Sequence, residues 1–186
     1  MKRLFLLVLG FAALMADGAE DPRGAQSAEI AARFQKVLGE RLMSAMVADG
    51  PVAAIGVCRH EAPEIAARLS AETGTKVART ALRVRNPDNA PDAGEWAVLK
   101  AFERDLKAGV KSSPEHFEVA ADGSARYLKA ILTQPACLSC HGAVLAPEVK
   151  AAIARHYLND QATGFAVGDL RGAFVIEWPA SGGEHP

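Results

Sequence analysis

The sequence has little cysteine and almost no excess charge of either sign. Three cysteines stand among 186 residues, and 21 Lys+Arg face 22 Asp+Glu. A small, odd cysteine count excludes a disulfide framework. The charge balance excludes a strongly basic nucleic-acid binder, and 49% hydrophobic residues exclude an acidic disordered chain. No second Cys-x-x-Cys pair accompanies Cys137 and Cys140, so a closed four-ligand zinc site lacks its donors. No methionine follows position 46, since Met1, Met15, Met43 and Met46 are all there are. Internal repeats and low-complexity linkers are absent too, and the length suits one domain with a real core.

Long apolar runs are equally scarce. The one that stands out is Leu4 to Ala16, preceded by Lys2 and Arg3 and followed by a small-x-small exit, Ala16-Asp17-Gly18. A charged start, a short apolar stretch and a small-residue exit describe a secretory signal. The run is short of the ~20 residues that a spanning helix needs. Residues 1–18 are therefore expected to be removed. Residues 19–186 then form a single, slightly acidic, periplasmic domain with no membrane span.

What is present reads as α+β. Ile30, Phe34, Val37, Leu38, Leu42, Ala45 and Met46 make one apolar stripe at helical period. Asp49-Gly50-Pro51 stops it, and Pro51 suits the first turn of a second helix reaching Cys58. A further helical piece runs from Glu64 to about Glu72, and Lys76 to Leu82 reads as a strand. Residues 83–92 (RVRNPDNAPD) must be turns. Trp96, Leu99, Phe102 and Leu106 mark a helix face, with Trp96 expected in the core. His116–Ala121 and Arg126–Leu132 flank Asp122-Gly123 as a hairpin. A short helix from Pro147 and a strand from Ala173 to Trp178 close the chain.

The motif that carries chemistry is Cys137-Leu138-Ser139-Cys140-His141. Residues at i, i+3 and i+4 share one helical face, so two thiols can bond the vinyl groups of one haem while the imidazole reaches its iron. Covalent haem attachment outside the cytoplasm agrees with the leader. The motif therefore predicts one covalent haem c, with His141 as an iron ligand. A thioredoxin-like dithiol would follow a βαβ start instead. The layout of a small electron carrier, with an axial Met far downstream, is absent.

For the other side of the iron the candidates are Cys58, His60, Met43, Met46, His116 and His156. With Cys137 and Cys140 consumed, Cys58 has no disulfide partner and is open to oxidation unless it is buried, paired between chains or liganded. The alternative is a small apolar core residue beside Ile55 and Val57. His60 lies off the Cys58 helical face, and the other histidines read as surface residues. Arg79, Arg83 and Arg85 could pair with the two haem propionates, since guanidinium groups bind carboxylates bidentately, or could be solvated charges. Arg126 and Arg171 have no evident place.

Several segments together resemble a known family, the c-type haem domain of unknown function found in bacterial and cyanobacterial exported proteins and in sensor-kinase ectodomains. They are Ile55-Gly56-Val57-Cys58, Ala62-Pro63, Arg79-Thr80, Arg85-Asn86-Pro87-Asp88-Asn89-Ala90-Pro91-Asp92, Arg126-Tyr127-Leu128-Lys129, residues 137–142, and Gly164-Phe165 through Gly168-Asp169-Leu170-Arg171-Gly172-Ala173-Phe174. Gly94-Glu95 before Trp96 and His156-Tyr157-Leu158 depart from the pattern. The resemblance implies a PAS-like antiparallel sheet with N-terminal helices and raises Cys58 to the favoured second iron ligand. It implies a haem-based redox or gas sensor or signalling module, with electron transfer as the alternative. The expected partners are a redox or signalling protein and a small diatomic gas. No distal acid–base pair marks an enzyme such as a peroxidase.

Overall fold

The computed structural model describes residues 21–180. The expected leader at residues 1–18, and His185 in the C-terminal tail, lie outside the described residues.

A long helix, α1 (Pro22–Gly56), opens the domain. Asp21 caps it by accepting from the Arg23 amide at 3.0 Å, and Pro22 takes a first-turn position where no N–H is needed. Arg23 also donates to the Gly123 carbonyl at 2.7 Å, fastening the helix start to the hairpin turn. The expected break is real: Gly50 has φ 80° and ψ −176°, and helix resumes at Pro51. A single π-helical turn, Val57–Glu61, then leads without interruption into α2 (Ala62–Thr73), which ends on left-handed Gly74. The helical stretch Pro22–Thr73 contains an 18-residue window of mean hydropathy 1.3, only 17% of it buried, long and apolar enough to cross a membrane. This corrects the expectation that nothing beyond the leader approaches such a length. The sequence divides at Gly50, but the backbone stacks across that break.

Four strands follow: β1 (Lys76–Thr80), β2 (Glu115–Val119), β3 (Ala125–Leu132) and β4 (Leu170–Trp178). They form one antiparallel sheet in the order β1-β4-β3-β2. The predicted hairpin is present, with Gly123 at φ 83° in its turn. Helix α3 (Ala93–Lys107) starts on a reciprocal capping box between Asp92 and Glu95.

The sheet has a helical layer on each face, and alternation along β4 sorts the core between them. Phe174 and Ile176 join Ile30, Phe34, Ile65, Leu69, Val77 and Tyr127 on the α1/α2 side. Ala173 and Val175 join Leu99, Phe102, Leu128 and Ala130 on the α3 side. The Phe34 and Phe174 rings meet at 5.1 Å. Full burial of a side chain such as Leu128 contributes about 1.5–3 kcal/mol. Trp96 departs from expectation: it is 54% exposed. The sheet covers the Leu99–Phe102 face, and that cover ends one turn short of the helix start.

A third, smaller core joins the end of α1 to the CxxCH segment. Ile55 packs with Val149, Ala152 and Ile153 of α5 (Pro147–His156), and Cys140, Leu145 and Tyr157 lie against them.

Two glycines separate backbone fit from helix propensity. A Cβ on Gly172 would lie 2.4 Å from the Thr80 carbonyl oxygen, whereas one on Gly39 would meet nothing within 4 Å. Gly172→Ala is expected to destabilise the domain by about 1–3 kcal/mol. Gly39→Ala, inside α1, is expected to stabilise it by about 0.5–1 kcal/mol. Urea unfolding of both variants checks the opposite signs.

Candidate functional site

The site begins with one tight turn of chain. Pro135–Cys137 form a 3₁₀ turn that passes into α4 (Leu138–His141). This places Cys137 at the end of the 3₁₀ turn and Cys140 and His141 in the short helix that follows it. Gly142 then has to be glycine. Its amide donates to the Leu138 carbonyl at 2.9 Å, and a Cβ there would lie 2.6 Å from that same oxygen.

Arg85 holds this turn against the rest of the domain. Its guanidinium is buried and pairs with Asp160, Nε to Oδ1 at 3.0 Å and Nη2 to Oδ2 at 3.1 Å. Nη2 also donates to the Cys140 carbonyl at 2.7 Å and the Ala162 carbonyl at 3.1 Å. Two backbone bonds complete the join: Gly164 N–H to Gly142 O and Phe165 N–H to His141 O, both 2.9 Å. The loop after His141 and the single loop from Tyr157 to β4 therefore meet at the CxxCH turn. Of the three guanidiniums considered for cofactor carboxylates, Arg85 has its bidentate edge already filled by Asp160, which makes it a clamp.

The clamp orients His141. Ala162, fixed through its carbonyl by Arg85, also accepts from His141 Nδ1 at 2.7 Å. That bond places the ring proton on Nδ1 and leaves Nε2 as the basic nitrogen. Burial, with the Arg171 and Arg85 charges adding to it, pulls the His141 pKa down to about 3. The ring is therefore neutral at any physiological pH. Phe165 sits edge-on to it at 6.2 Å.

Cys58 is half-buried in the π-helical turn and is unpaired among the described residues. A π turn inserts one residue into a helix and re-aims the side chains around it, and such turns concentrate at functional sites. The Cys58 thiol lies close enough to Arg79, Arg171, Cys140 and Tyr157 to influence the ionisation of all four. It therefore shares one electrostatic neighbourhood with the CxxCH turn. Burial raises the Cys140 and Tyr157 pKa values above their ordinary ones and pulls that of Arg79 below. Arg79, on edge strand β1, lies over the Phe34 ring at 5.8 Å, and Arg83 stacks on Phe165 at 3.8 Å. Neither has a carboxylate partner among the described residues.

His60 and His156 are exposed, with His156 against Arg59, while His116 pairs with Glu118. Met43 is 47% exposed, and Met46 is half-buried. A cavity of about 450 Å³ lined by Arg59, Arg85, Asn86 and Tyr157 adjoins the site. A larger one, about 910 Å³, lies at the other end of the sheet beside Lys76, Arg126 and Glu177, away from every cysteine. Asp92, Glu95 and Glu177 cluster at that end, but Arg126 bridges Asp92 at 2.9 Å and Glu177 at 3.0 Å, so their charge is met by a guanidinium.

Reading the sequence missed three participants. Asp160 is 75 positions from Arg85, and no spacing rule links them. Ala162 acts through its backbone, which no side-chain pattern encodes. Arg171 was in view, both as an arginine with no evident place and within the Gly168–Gly172 element, but nothing local tied it to His141. The donor set fits the expected haem: two thiols and a neutral imidazole within five residues, a further thiol nearby, and guanidiniums without carboxylates.

A model of the family described as Tll0287-like: Tll0287 matches residues 14–179. Among solved structures, the crystal structure of the cyanobacterial heme-protein Tll0287 aligns with a TM-score of 0.67 and 25% identity. The alignment covers 87% of this chain and 97% of that one. No curated protein matches the chain.

Asp160→Ala leaves the Arg85 charge buried without its partner, and it is expected to cost about 3–5 kcal/mol. Burial would raise the Asp160 pKa, but hydrogen bonds from Arg85 and the Ala162 amide outweigh this and hold it below its ordinary 3.8. Its contribution is complete above that ordinary value and is lost as the pH falls toward the depressed folded one. The difference in urea midpoint between parent and variant should narrow below pH ~3.8.

Proposed function

The chain belongs to the Tll0287-like family, and from that premise we propose that it is an exported monohaem c-type protein serving as a haem-based redox or gas sensor. The observation that carries the reading is the His141 ring, whose Nδ1 is committed to Ala162 while Nε2 is left as a neutral base one residue from Cys140. In this reading Cys137 and Cys140 form the two thioether links, His141 ligates iron, and Cys58 supplies the second ligand from its π-helical turn. Arg79 and Arg83 take the propionate carboxylates. Bound there, the haem would supply a one-electron iron couple and a place for a diatomic gas.

The residues around it do the tuning. A thiolate pushes electron density toward iron and lowers its potential relative to Met/His ligation. The Ala162 carbonyl on Nδ1–H makes the imidazole a stronger donor in the same direction. A π-helical turn carrying one of two ligands, where regular helix is interrupted, is suited to ligand release, which is what a sensor requires.

Electron transfer to a partner protein is the second reading, and a specific observation favours it. The two loops that meet at the CxxCH turn carry Val144, Leu158 and Val167, which are 90%, 91% and 56% exposed. Branched apolar side chains held in water beside a redox centre suit transient docking.

Exported protein should retain haem after denaturation and acidic acetone extraction. Cys137→Ala/Cys140→Ala should lose it. Extractable haem in the parent, or attached haem in the double variant, contradicts the assignment. Carbon monoxide added to the ferrous protein separates the two uses: displacement of an axial ligand supports sensing, and an inert spectrum supports electron transfer.

A further inference from the structure

Residues 42–60 form a lobe that the rest of the domain grips lightly. Two ion pairs give the direction of its walls. Arg33 meets Glu72 and Arg41 meets Glu61, each at 2.6 Å, so the first part of α1 runs antiparallel to α2. Between Arg41 and Glu61 the chain therefore turns back, and it does so at Gly50, whose φ of 80° suits glycine.

Burial along the lobe is uneven. The earlier turns of α1 bury Ile30, Ala31 and Phe34, but no residue from Leu42 to Ala53 is buried. Met43, Val47 and Val52 are 47%, 82% and 38% exposed. On the returning side Ala54, Ile55 and Val57 are buried, and Ile55 sits in the small core with Val149, Ala152 and Ile153. Arg59 meets His156 at the end of α5. The lobe thus has a fixed base, the bidentate Arg41–Glu61 pair, and one patch of attachment to α5. Cys58 lies in the π turn between the two.

We propose that this lobe is a redox-sensitive strap: the bond from Cys58 to iron ties it, through the haem, to the CxxCH turn, and loss of that bond frees residues 42–57 to open about Gly50. The proposal rests on the sensor reading above and adds the element that moves. One electron from a reducing partner protein takes iron from ferric to ferrous and weakens its attraction for a thiolate. The Cys58 sulfur leaves with its electron pair and takes a proton from water. A segment with few buried apolar side chains opens at low free energy, so one coordinate bond is a large share of what holds it. By linkage, whatever holds the lobe closed favours Cys58 ligation in the same measure.

Hydrogen exchange of the haem-loaded protein, read by mass spectrometry, tests this. It is measured in the ferric state and in the dithionite-reduced state under carbon monoxide, with spectra reporting whether Cys58 has left iron. Peptides covering residues 42–57 should exchange about tenfold faster once it has, and those of α3 should not change. Cys58→Ala should show fast lobe exchange in both states. If it does not accumulate, Cys58→Ser, closer in size, is read in the same way. Three results overturn the proposal while leaving the haem reading intact: equal lobe exchange in two states that differ in Cys58 ligation, an equal change in α3, or a difference that persists in Cys58→Ala. Cys58 bound in both states, or in neither, overturns the sensor reading and the proposal together.

Discussion

A single buried guanidinium holds the chemistry of this domain in register. Arg85 reaches Asp160, the Cys140 carbonyl and the Ala162 carbonyl at once. A charge withdrawn from water in this way is costly unless it is paired and fully hydrogen-bonded, so the two segments it touches, the CxxCH turn and the loop before β4, are bound to one geometry. The consequence passes directly to His141. Ala162, fixed on one side by Arg85, receives the imidazole N–H on the other. The position of one arginine on the loop after β1 thus decides which imidazole nitrogen is basic.

Around that clamp the domain divides its labour by element type. The sheet and its two helical layers supply rigidity, with β4 buried on both faces. The site itself is built where regular structure is interrupted: a π turn at Cys58, a short helical turn at Cys137–His141, and a bulge at Arg171. Each interruption re-aims a side chain that an uninterrupted helix or strand would point elsewhere. Family membership and the likeness to the cyanobacterial heme-protein Tll0287 bear on the whole of this frame rather than on the motif alone.

Much of the frame was legible in the sequence because it rests on local signals. Apolar period marked α1 and α3, Asp122-Gly123 marked the hairpin, and Gly50-Pro51 marked the break in the first helix. The CxxCH turn was legible for the same reason, since its logic lies within five residues. What stayed hidden is non-local or carried by the backbone. The Arg85–Asp160 pair spans 75 positions, the acceptor for His141 is a carbonyl, and the π turn and the bulge each depend on what packs against them. Trp96 failed for a related reason: period identifies a helix face but not how far the opposing sheet extends.

The central proposal is that Cys58 and His141 would both ligate the iron of one haem. Electron paramagnetic resonance of the haem-loaded ferric protein tests it most directly. The account predicts a low-spin spectrum with the narrow g-spread of thiolate ligation, converted to a different spectrum in Cys58→Ala. A Cys58→Ala spectrum identical to the parent's would contradict it.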